Sequence, residues 1–211
     1  MIFKKCINYV LADKEDIPIL HRSIESVRQF CDYDINILTT YDSIDVEGFF
    51  RHGNVNMLKV EKIHHDNLEK EKNISRYSLI SLLISGKSYH VSLYLNNNVI
   101  VNHKDFLHGF NICQTFGLTM IHKSRDFMTS DESFGMPSYD TDIIFYNSQH
   151  FSSFFLGSML EEQNANPGQI QLGLYRTIDK HKFAPFGLPE GWVCPDSERS
   201  LVRKIDKKVF P

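Results

Sequence analysis

The chain predicts an α/β fold, a mixed central β-sheet flanked by helices on both faces. Short runs rich in β-branched and aromatic residues alternate with segments whose apolar residues fall at helical spacing. The first run, Ile2–Leu11, is apolar almost throughout after its two lysines, as expected of a strand covered on both faces. The run Tyr89–Leu95 stops abruptly at three consecutive amides, Asn96, Asn97 and Asn98, before a short run Val99–Val101. Such a triplet puts oxygen-bearing side chains at the carboxyl edge of the sheet, where open α/β sheets bind their ligands.

The other elements follow in order. Ile17, Leu20, Ile24, Val27 and Cys31 are helically spaced, and Pro18 is tolerated in a first turn. Ile35–Thr40 and Asn54–Val60 read as strands, and the charged, His-containing stretch 61–73 as a loop. Arg76–Ile84 is a helix turning Leu79, Ile80, Leu82 and Leu83 to the core and stopped by Gly86. Beyond Val101, Asp105–Phe110 is a short helix, Phe116–His122 a strand, Phe127–Tyr139 a loop and Asp142–Tyr146 a strand. Helices over Gln149–Glu162 and Gln169–Ile178 flank an Asn164–Gly168 turn, and the tail, with Pro185, Pro189 and Pro195, reads as irregular.

A chain of 211 residues, 42% hydrophobic, can bury one sizeable core, so a single domain over 1–211 is expected. The C-terminus reads equally as a frayed tail or as the edge of a longer polypeptide. The net charge of −3 and dispersed basic residues argue against nucleic-acid binding. No apolar run approaches the roughly 20 residues of a membrane span. The apolar start is broken at Asn8 and ends at Asp13, unlike a signal peptide, so a cytoplasmic location is expected. Cys6, Cys31, Cys113 and Cys194 are far apart and form no C-x-x-C pair, the pattern of reduced, mostly buried thiols. No nucleophile–base set of the Ser/His/Asp type and no P-loop or Rossmann spacing is present.

Over residues 5–185 the order of parts resembles the GT-A glycosyltransferases, in layout the glycogenin-like nucleotide-sugar transferases. It is similar, too, to the compact glycosyltransferase domains that large algal viruses encode to decorate their capsid protein, which would place it in a host cytoplasm. The strand end held here by Asn96-Asn97-Asn98 carries in that family the DxD motif, which grips a divalent metal and a nucleotide diphosphate; both expected carboxylates are amides. The resemblance implies a UDP-sugar donor with a hexose-type sugar, a glycan or glycoprotein hydroxyl as acceptor, Mn²⁺ or Mg²⁺ as cofactor, and a monomer. It implies base contacts from Tyr9 and Leu11, ribose contacts from Thr39 and Thr40, and diphosphate contacts from Lys72 and Arg76. Gln169 resembles the glutamine of the family's Asp-Gln pair, with Gly168 in place of the aspartate. Asp140 and Asp142 would face sugar and acceptor as hydrogen-bond partner and general base, and His181 would complete a metal shell with Asn96 and Asn98.

In that chemistry a hard cation with oxygen ligands stabilises the departing diphosphate as a Lewis acid. Amides keep the carbonyl oxygen and lose the charge, so metal binding should be weak. Two explanations stand: an active-site variant of a metal-dependent enzyme, or a lineage that binds donors with little metal. Asp140-Thr141-Asp142 is itself a literal DxD and a rival metal site. The alternative from another class is a non-catalytic pseudo-glycosyltransferase used as a binding module. Sugar-1-phosphate nucleotidyl transfer is disfavoured, because no Gly-rich basic loop follows the first strand. Plainer readings accompany each site residue. An Asn triplet also makes an ordinary turn, Arg76 and His181 are also surface residues, and His64-His65-Asp66 and His122-Lys123-Ser124-Arg125 are solvated loops. Trp192 reads as packing.

Overall fold

The computed structural model describes residues 3–41, 43–60, 67–127, 137–193 and 200–206, leaving aside the side chains of 43–47, 67–74, 124–127 and 137. The strands are β1 (Lys5–Leu11), β2 (Asp34–Thr39), β3 (Val55–Lys59), β4 (Val91–Leu95), β5 (Val99–Val101), β6 (Leu118–Phe127), β7 (Pro137–Asn147), β8 (Phe186–Leu188) and β9 (Val202–Lys204). The helices are α1 (Ile17–Arg28), α2 (Asn67–Ser85), α3 (His108–Phe116), α4 (Ser152–Ala165) and α5 (Ile170–His181), with 3-10 turns at Lys14–Asp16, Ser43–His52, Lys104–Leu107 and Glu190–Trp192.

Seven strands form one sheet in the order β3-β2-β1-β4-β7-β6-β8. The first four run parallel, and β7 lies antiparallel to both β4 and β6. The mixed sheet flanked by helices is therefore as expected. Alternation along β1 explains its nearly continuous apolar run. Ile7, Tyr9 and Leu11 pack with Leu20, Ile24, Val27, Phe106 and Phe110 on the α1 and α3 side. Val10 and Ala12 pack with Leu79, Leu82, Phe155, Met159 and Leu174 on the α2, α4 and α5 side. Asn8, which breaks the run, is buried on that second side, where its Oδ1 accepts from Asn36 Nδ2 (3.1 Å) and Ser85 Oγ (2.6 Å). Cys6 and Cys113 are buried free thiols and Cys31 is a half-buried one; burial pushes the Cys6 thiol up to about 11. Cys194 lies outside the described residues.

Several expectations need correction. The helix read as Arg76–Ile84 begins at Asn67, inside the stretch taken for a loop, because its first turns are polar and show no apolar stripe. Residues 61–66, with the His64-His65-Asp66 cluster, fall outside the described residues. β7 starts at Pro137 rather than Asp142. The tail read as irregular contributes β8 and β9, strands too short for a period to show. β9 pairs antiparallel with β5, setting Val99 opposite Lys204 and Val101 opposite Val202. The far edge of β5 is closed by hydroxyls of α1: Ser23 Oγ donates to Val99 O (2.6 Å) and Val101 N donates to Ser26 Oγ (3.0 Å). Among the described residues no helix is long and apolar enough to cross a membrane.

Candidate functional site

The parallel strands β1, β2 and β4 end at one edge of the sheet. After Leu11 the chain turns through Asp13, whose carboxylate accepts from Glu15 N (3.0 Å) and opens a 3-10 turn. After β2, Tyr41 N donates to Thr39 Oγ1 (3.2 Å). After β4 comes a tight turn closed by Val99 N on Asn96 O (3.0 Å). Because β7 runs antiparallel beside β4, its first half, with Asp140 and Asp142, reaches the same edge.

The amide triplet is built into this edge from three sides. Asn96 donates twice to Asp142, from backbone N to the carbonyl (2.9 Å) and from Nδ2 to Oδ1 (2.8 Å). Asn97, only 2% exposed, caps the end of β1 by donating Nδ2 to Val10 O (3.0 Å). Asn98 is clamped to Ile205, donating Nδ2 to its carbonyl (3.3 Å) and accepting its N–H (2.9 Å). The Oδ1 atoms of Asn97 and Asn98 are buried without a hydrogen-bond partner among the described residues. The plain reading of the triplet as a turn holds: it is a β-turn in which Asn96 faces the carboxylate of Asp142 while Asn97 and Asn98 bond the carbonyls of Val10 and Ile205.

Those carboxylates converge as the sequence predicts. Asp142 N donates to Asp140 Oδ1 (2.9 Å), and the register against β6 jumps between Met120–Ile144 and Ile121–Asp140, so residues 141–143 bulge and both side chains turn to one place. What holds them there was not anticipated. Lys204 Nζ lies 2.7 Å and 2.9 Å from the two oxygens of Asp140 and 2.6 Å from Asp142 Oδ2. Burial disfavours the Asp142 charge, but Lys204 and the Asn96 amide outweigh it and hold this carboxyl below the usual range. Burial likewise disfavours the Lys204 charge, and the two carboxylates outweigh it, raising the ammonium above its ordinary value. Sequence reasoning missed Lys204 because its strand is three residues long in a proline-bearing tail; no motif marks it.

The remaining expected residues are distributed differently. Tyr9 and Leu11 are fully buried, with Tyr9 Oη bonded to Ser23 Oγ (3.0 Å), so a base contact at these positions would fall to the backbone and not to the side chains. Thr39 is buried and Thr40 half-buried at the end of β2. Arg76 is exposed on α2, and the side chain of Lys72 lies outside the described set. Gln169 is exposed at the start of α5. Its neighbour Gln171 makes the contact instead, its side-chain amide pairing with both N and O of Tyr139 (3.4 and 2.5 Å) beside Asp140. His181 belongs to no shell around Asn96. Its Nε2 bonds Ser158 Oγ (2.8 Å), ten residues and roughly 15 Å along the helix from Gln171. His122 packs edge-on against Tyr139, and Trp192 packs half-buried against Phe106. An open cleft of about 310 Å³ lined by Lys4, Lys5, Tyr33, Asp34 and Tyr89 lies at the opposite edge of the sheet, where the strands begin rather than end.

The donors at the edge do not fit a hard divalent cation. Such an ion needs several oxygen ligands with charge among them. The charged oxygens of Asp140 and Asp142 already surround an ammonium, Asn96 Oδ1 accepts from Asn97 N (2.7 Å), and His181 is elsewhere. No group of three or more His, Cys, Asp or Glu among the described residues could hold a metal ion.

No family model and no curated protein matches the sequence. Solved structures do match. A glycosyltransferase involved in glycosylation of the major capsid of PBCV-1 superposes with a TM-score of 0.57 at 14% identity, covering 97% of this chain and 95% of that one. The 4-diphosphocytidyl-2C-methyl-D-erythritol synthase of Anaerococcus prevotii DSM 20548 gives 0.56 at 11% identity, covering 88% and 86%. The galactosyltransferase LgtC, in complex with donor and acceptor sugar analogs, gives 0.54 at 11% identity, covering 82% and 70%. The fold is that of the GT-A nucleotide-sugar transferases. At these identities the likeness is one of architecture. Within this fold the Asn96 turn lies at the carboxyl ends of β1 and β4.

Proposed function

We propose that the chain is a glycosyltransferase that moves a hexose-type sugar from a nucleoside-diphosphate donor, a UDP-sugar by the resemblance, to a hydroxyl of a glycan or glycoprotein. The observation that carries this is the meeting of the Asn96–Asn98 turn with Asp140 and Asp142 at the carboxyl edge of a GT-A sheet. Donor binding at that edge is what topology favours. The enclosed Oδ1 atoms of Asn97 and Asn98 have no hydrogen-bond partner among the described residues, which leaves them acceptors for a water or a ligand group. Thr40, at the end of β2, lies on the ribose side of such a donor, with Gln171 holding Tyr139 next to Asp140. A carboxyl held low by an ammonium is a weak base at neutral pH, so Asp142 serves better to orient the donor than to abstract the acceptor's proton. Cytoplasmic action belongs to the same proposal.

The saturation of both carboxylates and the amides at the DxD position favour a second reading, a pseudo-glycosyltransferase that binds donor or glycan without turnover. The fold does not separate sugar transfer from nucleotidyl transfer; nucleotidyl transfer is disfavoured because β1 leads into an acidic turn with Glu15 and Asp16 rather than a Gly-rich basic loop. Thermal-shift screening with UDP, GDP and CMP, paired with an assay for nucleotide release from the sugar donor, separates the readings. A nucleotide at 100 times its Kd stabilises by about 2.7 kcal/mol, roughly 5–10 °C in a chain of this length. A shift with release supports the enzyme, a shift without release the binding module. No shift with any nucleotide refutes the enzyme and leaves, of the binding module, only a form that takes glycan alone.

A further inference from the structure

We infer that the ammonium of Lys204 occupies the place of the divalent cation at this site, so that a donor diphosphate is engaged without metal. The donor half of the inference rests on the nucleotide-sugar reading above; the cation half does not. Lys204 Nζ contacts three oxygens of two carboxylates at 2.6–2.9 Å, the pattern of a chelated cation. The fourth oxygen, Asp142 Oδ1, is filled by Asn96 Nδ2. No charged oxygen is left over for a metal, and a dication entering here would meet the ammonium at close range, where like charges repel strongly in a partly buried site.

The position of Lys204 is fixed by the amide turn itself. β9 pairs with the strand that leaves the turn, Lys204 stands opposite Val99, and the next residue, Ile205, clamps Asn98 through both its N–H and its carbonyl. The ammonium is thus delivered to the turn that in DxD proteins would deliver the metal. It has three N–H donors; the two carboxylates lie in two directions, and a quarter of the side chain remains exposed, which leaves one donor direction for a phosphate oxygen. Asn97 Oδ1 and Asn98 Oδ1, in the same turn, have no hydrogen-bond partner among the described residues.

The test is Mn²⁺ titration followed by the paramagnetic resonance signal of the free ion, on wild type, Lys204→Ala, Lys204→Arg and the triple variant K204A/D140N/D142N. Calorimetry of UDP, GDP and CMP binding runs in parallel, with EDTA or with Mn²⁺. Wild type and Lys204→Arg should leave the Mn²⁺ signal unchanged. Lys204→Ala should take up Mn²⁺ about tenfold more tightly or better, and the triple variant should not, since cation affinity follows the count of charged ligands. Nucleotide affinity of wild type should be the same in EDTA and in Mn²⁺, and should fall about tenfold or more in metal-free Lys204→Ala. Mn²⁺ uptake by wild type overturns the inference, and so does nucleotide binding that EDTA abolishes; both need only the unmodified protein. Absence of all nucleotide binding removes the donor half together with the proposed function, while the Mn²⁺ titration still decides whose place Lys204 holds.

Discussion

Lys204→Met keeps most of the aliphatic stem and removes the charge, leaving Asp140 and Asp142 facing one another. Their side chains are 4% and 30% exposed, and that of Lys204 is 25% exposed. Removing one partner of a buried ion pair costs about 3–5 kcal/mol because the other charge is left uncompensated. Partial exposure lets water reach Asp142, so the lower end applies, about 3 kcal/mol. For a chain of this length that is roughly 6–12 °C in melting temperature. Calorimetric melts at pH 7 read the loss, and hydrogen exchange of the Asn102 and Ile205 amides, which bond across to Leu201 O and Asn98 O, reads release of β9. The triple variant K204M/D140N/D142N should recover much of it, since neutral groups need no counter-ion. The pH dependence carries the sign. The Asp142 carboxyl lies below its unfolded value, so its contribution is present above about pH 4 and fades as pH falls through the folded value. Lys204 is raised, so its contribution is complete below about pH 10.5 and fades as pH rises through the folded value. The gap between wild type and Lys204→Met should therefore be flat through neutrality and close at both extremes. Equal melting temperatures and equal exchange protection of the Asn102 and Ile205 amides at pH 7 would refute the reasoning.

Three further outcomes follow from the same geometry. Asn96→Asp exchanges a donor on Asp142 Oδ1 for a second carboxylate; it should destabilise by about 1–3 kcal/mol at pH 7 and recover on acidification below about pH 4, as urea melts across pH would show. Tyr9→Phe should cost about 1 kcal/mol through loss of the Ser23 bond and leave the affinity of any bound nucleotide unchanged in calorimetry. Gly109→Ala would bring a methyl inside contact distance of the buried Phe145 ring, which is wedged against Phe106 and Phe110, and should lower stability by about 1–3 kcal/mol in thermal melts.

The sheet was legible because its parallel, doubly covered strands are short apolar runs rich in β-branched and aromatic residues, and Ile35–Thr40 and Tyr89–Leu95 match β2 and β4 to within one or two residues. The turn at Asn96 and the carboxylates at 140 and 142 were each legible as groups at strand ends; the hydrogen bond from Asn96 to Asp142 was not. Side-chain direction was not. Tyr9 lies at a strand position whose period turns it to the α1 face, and only the packed helix tells which face is closed. His181 looked like a ligand from its place in the order of parts, yet it ends α5, ten residues beyond the Gln171 that reaches Tyr139, and bonds Ser158 on α4. Lys204 escaped for a more basic reason: β9 has no period to read, and its partner β5 is a hundred residues earlier.

The charges at this edge make sense only when taken as a set. Carboxylates at 96, 98, 140 and 142 would put four negative charges at one strand end, tolerable around a dication and not around a single ammonium. With amides at 96 and 98 the site holds two carboxylates and one ammonium. The amide side chains then do what carboxylates could not, donating from Asn96 to Asp142, from Asn97 to β1 and from Asn98 to the strand that brings Lys204. Loss of the DxD charges and arrival of the tail lysine are on this view one change. Restoring aspartates at 96 and 98 alone should therefore not restore metal binding: the ammonium would still hold Asp140 and Asp142, and the turn would lose its donors. Aspartates at both positions combined with Lys204→Ala should bind Mn²⁺. Mn²⁺ uptake by the double aspartate variant with Lys204 in place would separate the two changes and break the argument.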